Sequence, residues 1–225
     1  TNAGSIANSI VGRAYNLLVD RIAEIRQQDP NAEISINLSG FSRGAAQVVA
    51  LANLIQERGI PGLYEAGQTR IDSMLLYDPV DMTNGALNTD WPSNVQNNLV
   101  LVAMGESRQI MPSMPLGAGA NVAGVAEAAH ANDGGSFNPQ GIQAATLGAG
   151  LKFQQAAGMA VQDAPDHLQP DWTQMFSHDS SRDNFGNTRW TTHEGDRYYE
   201  GAERTDPSVQ EVINNGAPPP FGKPA

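Results

Sequence analysis

Residues 33–54 read EISINLSGFSRGAAQVVALANL, and the fold is decided by how this stretch is parsed. Ile34, Ile36 and Leu38 alternate with polar residues, which predicts a strand over 34–38. Gly40-Phe41-Ser42-Arg43-Gly44 has the pattern G-x-S-x-G, predicting a tight turn. From Ala45 to Arg58 the chain is rich in Ala and Leu, with apolar residues at helical spacing, predicting a helix over 45–58. Strand, sharp turn and helix in that order form an elbow that presents the serine hydroxyl at the carboxyl end of a sheet. Gly40 and Gly44 are expected to let strand and helix pass close together. The main-chain N–H of Arg43, at the helix start, is placed to donate to an oxyanion. The bare pattern is a weak signal. What makes it specific is a strand pattern running directly into it and a helical pattern running directly out.

Outward from the elbow, residues 5–28 predict an amphipathic helix. Ile6, Ile10, Tyr15, Leu17, Leu18, Ile22 and Ile25 fall largely on one side. Asp29-Pro30-Asn31 ends it. Gly59-Ile60-Pro61-Gly62 stops the elbow helix. Residues 71–77, IDSMLLY, predict a second strand leading into Asp78-Pro79-Val80-Asp81, and residues 99–104, LVLVAM, a third. The third is almost continuously apolar, as strands buried on both faces are. Strands separated by helices and long connections, with no hairpin turns, imply an α/β fold with a mostly parallel sheet. Residues 110–129 are rich in Gly, Ala, Pro and Met. They offer either a mobile apolar wall or plain loop and helix packing. Residues 141–162 predict a packed helix. The chain then divides into a core, 1–162, and a polar, loop-rich extension of the same domain, 163–225. The extension carries one further helix signal at 207–214 and a Pro-rich tail.

The chain has 225 residues, enough for one sizeable core. Its 24 Asp and Glu outweigh 13 Lys and Arg, a formal net charge of −11, and no basic run is present to neutralise phosphates. Nucleic acid is therefore not an expected partner. The absence of cysteine excludes disulfide and thiol chemistry and is compatible with any redox compartment, including passage through an export machine and work in a periplasm. No apolar run approaches the length of a membrane span. The first residues do not resemble a signal peptide, and without an initiating methionine the chain reads as a piece of something larger.

A serine nucleophile needs a base, and the base needs a group to orient it. In the elbow architecture the order along the chain is Ser, then Asp or Glu, then His. Asp78 follows a core strand directly. Asp81 is the second candidate, and the plain alternative for Asp78 is a turn-forming Asp before Pro79. The four histidines, His130, His167, His178 and His193, all follow Asp78, so order excludes none. His130 lies in a Gly-rich segment able to bend an imidazole toward Ser42, with Asp78 behind it. His178 is the second candidate. The acidic and His-containing segments match neither an EF-hand loop nor a zinc H-E-x-x-H motif, so no metal and no cofactor are expected.

Several of these segments together resemble the GFSRGA-type α/β-hydrolases, a group that includes phospholipase effectors of bacterial type VI secretion. Residues 40–45, GFSRGA, are similar to that family's elbow residue for residue. Residues 12–18, GRAYNLL, resemble the helix before the elbow strand, and 76–80, LYDPV, resemble the strand whose terminal Asp is the triad acid. Residues 102–108, VAMGESR, resemble the next strand and its acidic-basic continuation. Residues 129–137, AHANDGGSF, resemble the segment carrying the triad His, with Ala129 and Ala131 departing from the residues usual beside it. The resemblance covers roughly residues 6–162.

It implies a Ser42–Asp78–His130 triad, an acyl-enzyme, and a lipid or phospholipid ester as substrate. It also implies secretion as an antibacterial effector toward a neighbouring cell's envelope, with an immunity protein or a component of the secretion machine as partner. In that family a first strand ending in Asp-Gly-Thr precedes the first helix, and its loop helps to build the oxyanion hole. Nothing here matches it. An N-terminal part or a second chain is then expected to complete the sheet and supply a donor beside Arg43. The rival expectations are a binding module that has kept the elbow without hydrolysis, and an esterase for small soluble esters.

Overall fold

The computed structural model describes residues 3–104, 106, 111, 113–125, 130, 134 and 141–170. Within them the chain forms helix α1 (Ala3–Gln28), strand β1 (Asn37–Phe41), helix α2 (Arg43–Arg58), strands β2 (Ile71–Tyr77), β3 (Val95–Ala103) and β4 (Val122–Val125), and helix α3 (Ile142–Ala156). The four strands make one sheet in the order β1-β2-β3-β4, every neighbouring pair parallel. The α/β, mostly parallel expectation is thereby met. A row of partners, Phe41 to Tyr77 to Leu101, runs across the carboxyl ends of β1, β2 and β3.

The sheet is covered on both faces, and the strands sort their side chains with a period of two. Met74, Leu76, Val100, Val102 and Val122 pack with Ala45, Ala46, Val49, Ala52 and Ile55 of α2 and with Ala7, Val11, Tyr15 and Ile22 of α1. Their alternate neighbours Leu75, Leu99, Leu101, Ala103 and Ala123 pack with Ile142, Ala145, Ala149 and Phe153 of α3 on the opposite side. This two-sided burial is the reason residues 99–103 read as an unbroken apolar run. Tyr15 joins the helical layer to the elbow helix: its hydroxyl donates to the carbonyl of Gly59 at 3.0 Å. Beyond α3, Lys152 donates to Asp163 at 2.7 Å, which holds that carboxyl below the usual range.

Several boundaries differ from the periodicity. β1 begins at Asn37 and runs into Phe41, three residues beyond the alternating apolar stretch 34–38. Its neighbour on β2 sets this: the main-chain N–H of Asp72 donates to the carbonyl of Ile36 at 2.8 Å, and the ladder proper continues from there. α2 starts at Arg43, immediately after the turn, because the carbonyl of Ser42 already accepts the N–H groups of Ala45 and Ala46. Where residues 110–129 are described they pack, as the plainer of the two expectations had it. Met114, Leu116 and Ala120 are buried in the core, and residues 122–125 form β4. Short apolar residues interleaved with glycine gave no strand period there. The helix expected over 141–162 ends at Ala156. On α1, Ile10 and Leu17 are 44% and 66% exposed, so the buried stripe is Ala7, Val11, Tyr15 and Ile22. The helix signal at 207–214 lies outside the described residues. No described helix is long and apolar enough to cross a membrane.

Candidate active site

Ser42 occupies a one-residue turn between β1 and α2, with φ 58° and ψ −129°. A non-glycine residue rarely adopts this conformation, and the strain of about 1–3 kcal/mol persists only when the surroundings enforce it. Two main-chain bonds do so. The N–H of Ser42 donates to the carbonyl of Tyr77 at 2.9 Å, and the N–H of Val80 donates to the carbonyl of Ser42 at 3.2 Å. The elbow is thus tied on both sides to the chain surrounding Asp78. The crossing of strand and helix requires one of the two glycines. A Cβ at Gly40 would stand 2.7 Å from the carbonyl oxygen of Gly44, whereas one at Gly44 would meet nothing within 4 Å. The expectation that both glycines relieve a close approach is corrected accordingly.

Asp78 is fully buried and also has positive φ, 39°, which Asp tolerates better than most residues. Its Oδ1 accepts the main-chain N–H of Ala103 at 3.0 Å, and its own N–H donates to the carbonyl of Leu101 at 2.7 Å. Both bonds lock it to the end of β3. Its Oδ2 faces Nδ1 of His130 at 2.5 Å. The other ring nitrogen of His130, Nε2, lies 2.7 Å from the Ser42 hydroxyl. The His130 side chain is 7% exposed, and its ring stacks on Phe41 with centroids 4.6 Å apart and planes 30° apart.

With Nδ1 protonated and bonded to the Asp78 carboxylate, Nε2 carries the lone pair facing the serine. Such an arrangement can accept the hydroxyl proton and hold the resulting positive charge beside a buried carboxylate. At the start of α2 the main-chain N–H of Arg43 has no acceptor among the described residues, so it points an open donor at the helix's positive end.

Of the sequence candidates, Ser42, Asp78, His130 and the Arg43 N–H come together. Asp81 does not. Its Oδ1 accepts the N–H of Thr83 at 2.8 Å and the Thr83 hydroxyl, the bonds of a local Asx turn. His167 is exposed on a short 3-10 turn, Asp166–Leu168. His178 and His193 lie outside the described residues. Among the described residues no three His, Cys, Asp or Glu side chains are grouped to hold a metal ion.

Beside Ser42 is a cavity of about 670 Å³ lined by Ala7 and Ile10 of α1, Phe41, Arg43, Gly44, Ala46 and Gln47 of the elbow, and Val80, Met82 and Thr83. Its wall therefore comes from α1, the elbow and the loop after Asp78, with no contribution from the described part of residues 110–129. The sequence carried no clear signal of this, since Ile10 fits the helical stripe; the structure leaves Ile10 and Met82 44% and 38% exposed. Sequence reasoning also passed over Glu106, 1% exposed at the end of β3, whose Oε2 accepts the main-chain N–H of His130 at 3.1 Å. A carboxylate three residues past a continuously apolar strand end was the sign of it.

No family model matches the chain, and no curated protein matches it in sequence. Among solved structures, the chain is similar to one in the structure of the Tle1 effector bound to the VgrG spike from the Type 6 secretion system, with a TM-score of 0.44 and 20% identity. The match covers 60% of this chain and 32% of that one, so this chain spans about a third of that chain's length.

Proposed function

We propose that this chain is a serine ester hydrolase whose nucleophile is Ser42, base His130 and orienting acid Asp78. The observation that carries the proposal is the unbroken line from Ser42 Oγ through His130 to Asp78 Oδ2, at 2.7 and 2.5 Å. His130 Nε2 takes the hydroxyl proton as Ser42 Oγ attacks the ester carbonyl. The carbonyl oxygen becomes an oxyanion facing the Arg43 N–H. The tetrahedral intermediate collapses as His130 returns the proton to the departing alcohol. Water, deprotonated by the same nitrogen, then releases the acid and regenerates Ser42.

A lipid ester, and a phospholipid in particular, is the proposed substrate. Ala7, Ile10, Phe41, Ala46, Val80 and Met82 give the cavity an apolar wall suited to an acyl chain. The sequence resemblance supports the same substrate, and with it a secreted effector role, an immunity protein or secretion-machine partner, and action at a target cell's envelope. A second oxyanion donor belongs to the same proposal. β1 pairs only with β2 among the described strands, so its outer edge is where an additional strand from an N-terminal part or second chain would dock.

The test is hydrolysis of phosphatidylglycerol and phosphatidylethanolamine vesicles by this chain beside Ser42→Ala, with released fatty acid and lysolipid identified. Release by the first and none by the second supports a Ser42-dependent phospholipase. Hydrolysis of short soluble esters alone makes it an esterase. No turnover and no labelling of folded protein by a fluorophosphonate leaves a binding module.

A further inference from the structure

The four strands end along one edge of the sheet, and each is followed by a member of one polar cluster, in which Ser42 is half-buried and the other three are buried. Ser42 follows β1, Asp78 follows β2, Glu106 follows β3 and His130 follows β4. The proposed chemistry uses three of them. Glu106 is as deeply buried as Asp78, at 1% against 0% exposure. A carboxyl group is rarely placed so deep without a structural or chemical use.

One of its contacts indicates a use. Glu106 Oε2 accepts the main-chain N–H of His130 at 3.1 Å, and the His130 carbonyl accepts the N–H of Gly134 at 3.2 Å. The backbone around the imidazole is therefore held at both its donor and its acceptor. The need is geometric. β4 ends at Val125, so the sheet ladder does not reach His130. The imidazole can span from Asp78 Oδ2 to Ser42 Oγ only if its Cα is correctly placed, because both gaps are already at hydrogen-bond length.

We infer that Glu106 is the positioning residue for His130: its buried carboxyl oxygen holds the His130 main-chain N–H and so sets the imidazole across the space between Asp78 and Ser42. The kinetic consequence rests on the ester-hydrolase proposal; the placement of the ring does not. Two readouts keep these apart. The first is the low-field proton resonance of the hydrogen-bonded Nδ1–H in protein carrying ¹⁵N-labelled histidine, assigned by its loss in Asp78→Asn. The second is the rate of Ser42 labelling by a fluorophosphonate.

Glu106→Ala removes the acceptor and is expected to abolish the resonance and slow labelling by about 10- to 100-fold, the scale of a misplaced catalytic group. Glu106→Gln keeps an acceptor oxygen and is expected to retain the resonance and label within about 5-fold of the parent, a difference small beside that misplacement. If Glu106→Ala does not fold, Glu106→Asp serves in its place, since it keeps the charge and withdraws the acceptor by one methylene. A folded Glu106→Ala, or Glu106→Asp in its place, with parental resonance and labelling overturns the inference. So does a parent chain without the resonance, or a Glu106→Gln variant as impaired as Glu106→Ala. If the parent shows the resonance but neither labels nor hydrolyses any ester, the hydrolase proposal fails, and the resonance in the variants still decides the role of Glu106.

Discussion

The ring of Phe41 lies against the imidazole of His130, centroids 4.6 Å apart, joining the residue before the elbow serine to a residue 88 positions beyond that serine. Gly134 makes room for this pair, because a Cβ there would strike the Phe41 ring. The stack covers one face of the imidazole, while Asp78 and Ser42 hold its two nitrogens.

Replacing Phe41 with Leu keeps an apolar wall but removes the stack. An aromatic pair contributes about 0.5–1.5 kcal/mol, so kcat should fall about 2- to 10-fold. KM should change less, and steady-state kinetics on a soluble ester separate the two. An unchanged kcat would show that the hydrogen bonds alone hold the ring.

Ser42→Ala and Ser42→Gly should both lower ester hydrolysis by at least about 10,000-fold. They should differ in stability. Alanine retains the strain of φ 58°, whereas glycine occupies that region readily. Ser42→Gly is expected to be about 1 kcal/mol more stable than Ser42→Ala, measured by urea unfolding. The reverse order would mean that the turn stores no strain.

Asp78→Asn should leave the fold intact and reduce kcat by about 10,000-fold. The asparagine oxygen can still accept the Ala103 N–H, which turns its amide toward His130 Nδ1. Nδ1 then becomes the acceptor, Nε2 carries the proton, and the lone pair facing Ser42 is lost. Asp81→Asn serves as the control. Among the described residues its carboxylate bonds to the Thr83 turn, and the variant should retain activity within about 3-fold, as substitutions away from the chemistry do. A large loss at Asp81 with little at Asp78 would exchange their roles.

Gly40→Ala should destabilise the protein by at least about 1–3 kcal/mol, since its methyl meets main-chain atoms that cannot move aside. Gly44→Ala should instead raise stability by about 0.5 kcal/mol, because the site is open and alanine is the better helix former. Thermal unfolding of the two variants checks the contrast. Equal losses would show that strand and helix approach as closely at Gly44 as at Gly40.

Much of this architecture is local in origin and was legible in the residues. The largely apolar stretch 71–77 and the apolar run 99–104 identify buried strands, and G-x-S-x-G between strand and helix patterns identifies the elbow. Each signal is complete within about ten residues, because backbone pleat, helical period and turn chemistry are properties of neighbouring residues. Ser42 and Asp78 follow from them, being the first residues past two strand ends. His130 was reached only through its Gly-rich setting and family resemblance, since chain order excluded no histidine, and His178 stayed open beside it. Tertiary structure decided the rest. The ring of His130 meets Asp78 across 52 residues and its main chain meets Glu106 across 24, distances over which no periodicity carries information. Ile10 was assigned to a buried stripe that its angular position allows, yet α1 packs on α2 so that Ile10 lines the cavity beside Ser42. β4 was invisible because Gly and Ala blur the two-residue period, and pairing with β3 supplied what its own composition lacked. Sequence determines the elements when burial stamps a period on them; which element ends converge on one serine is set by how the layers pack.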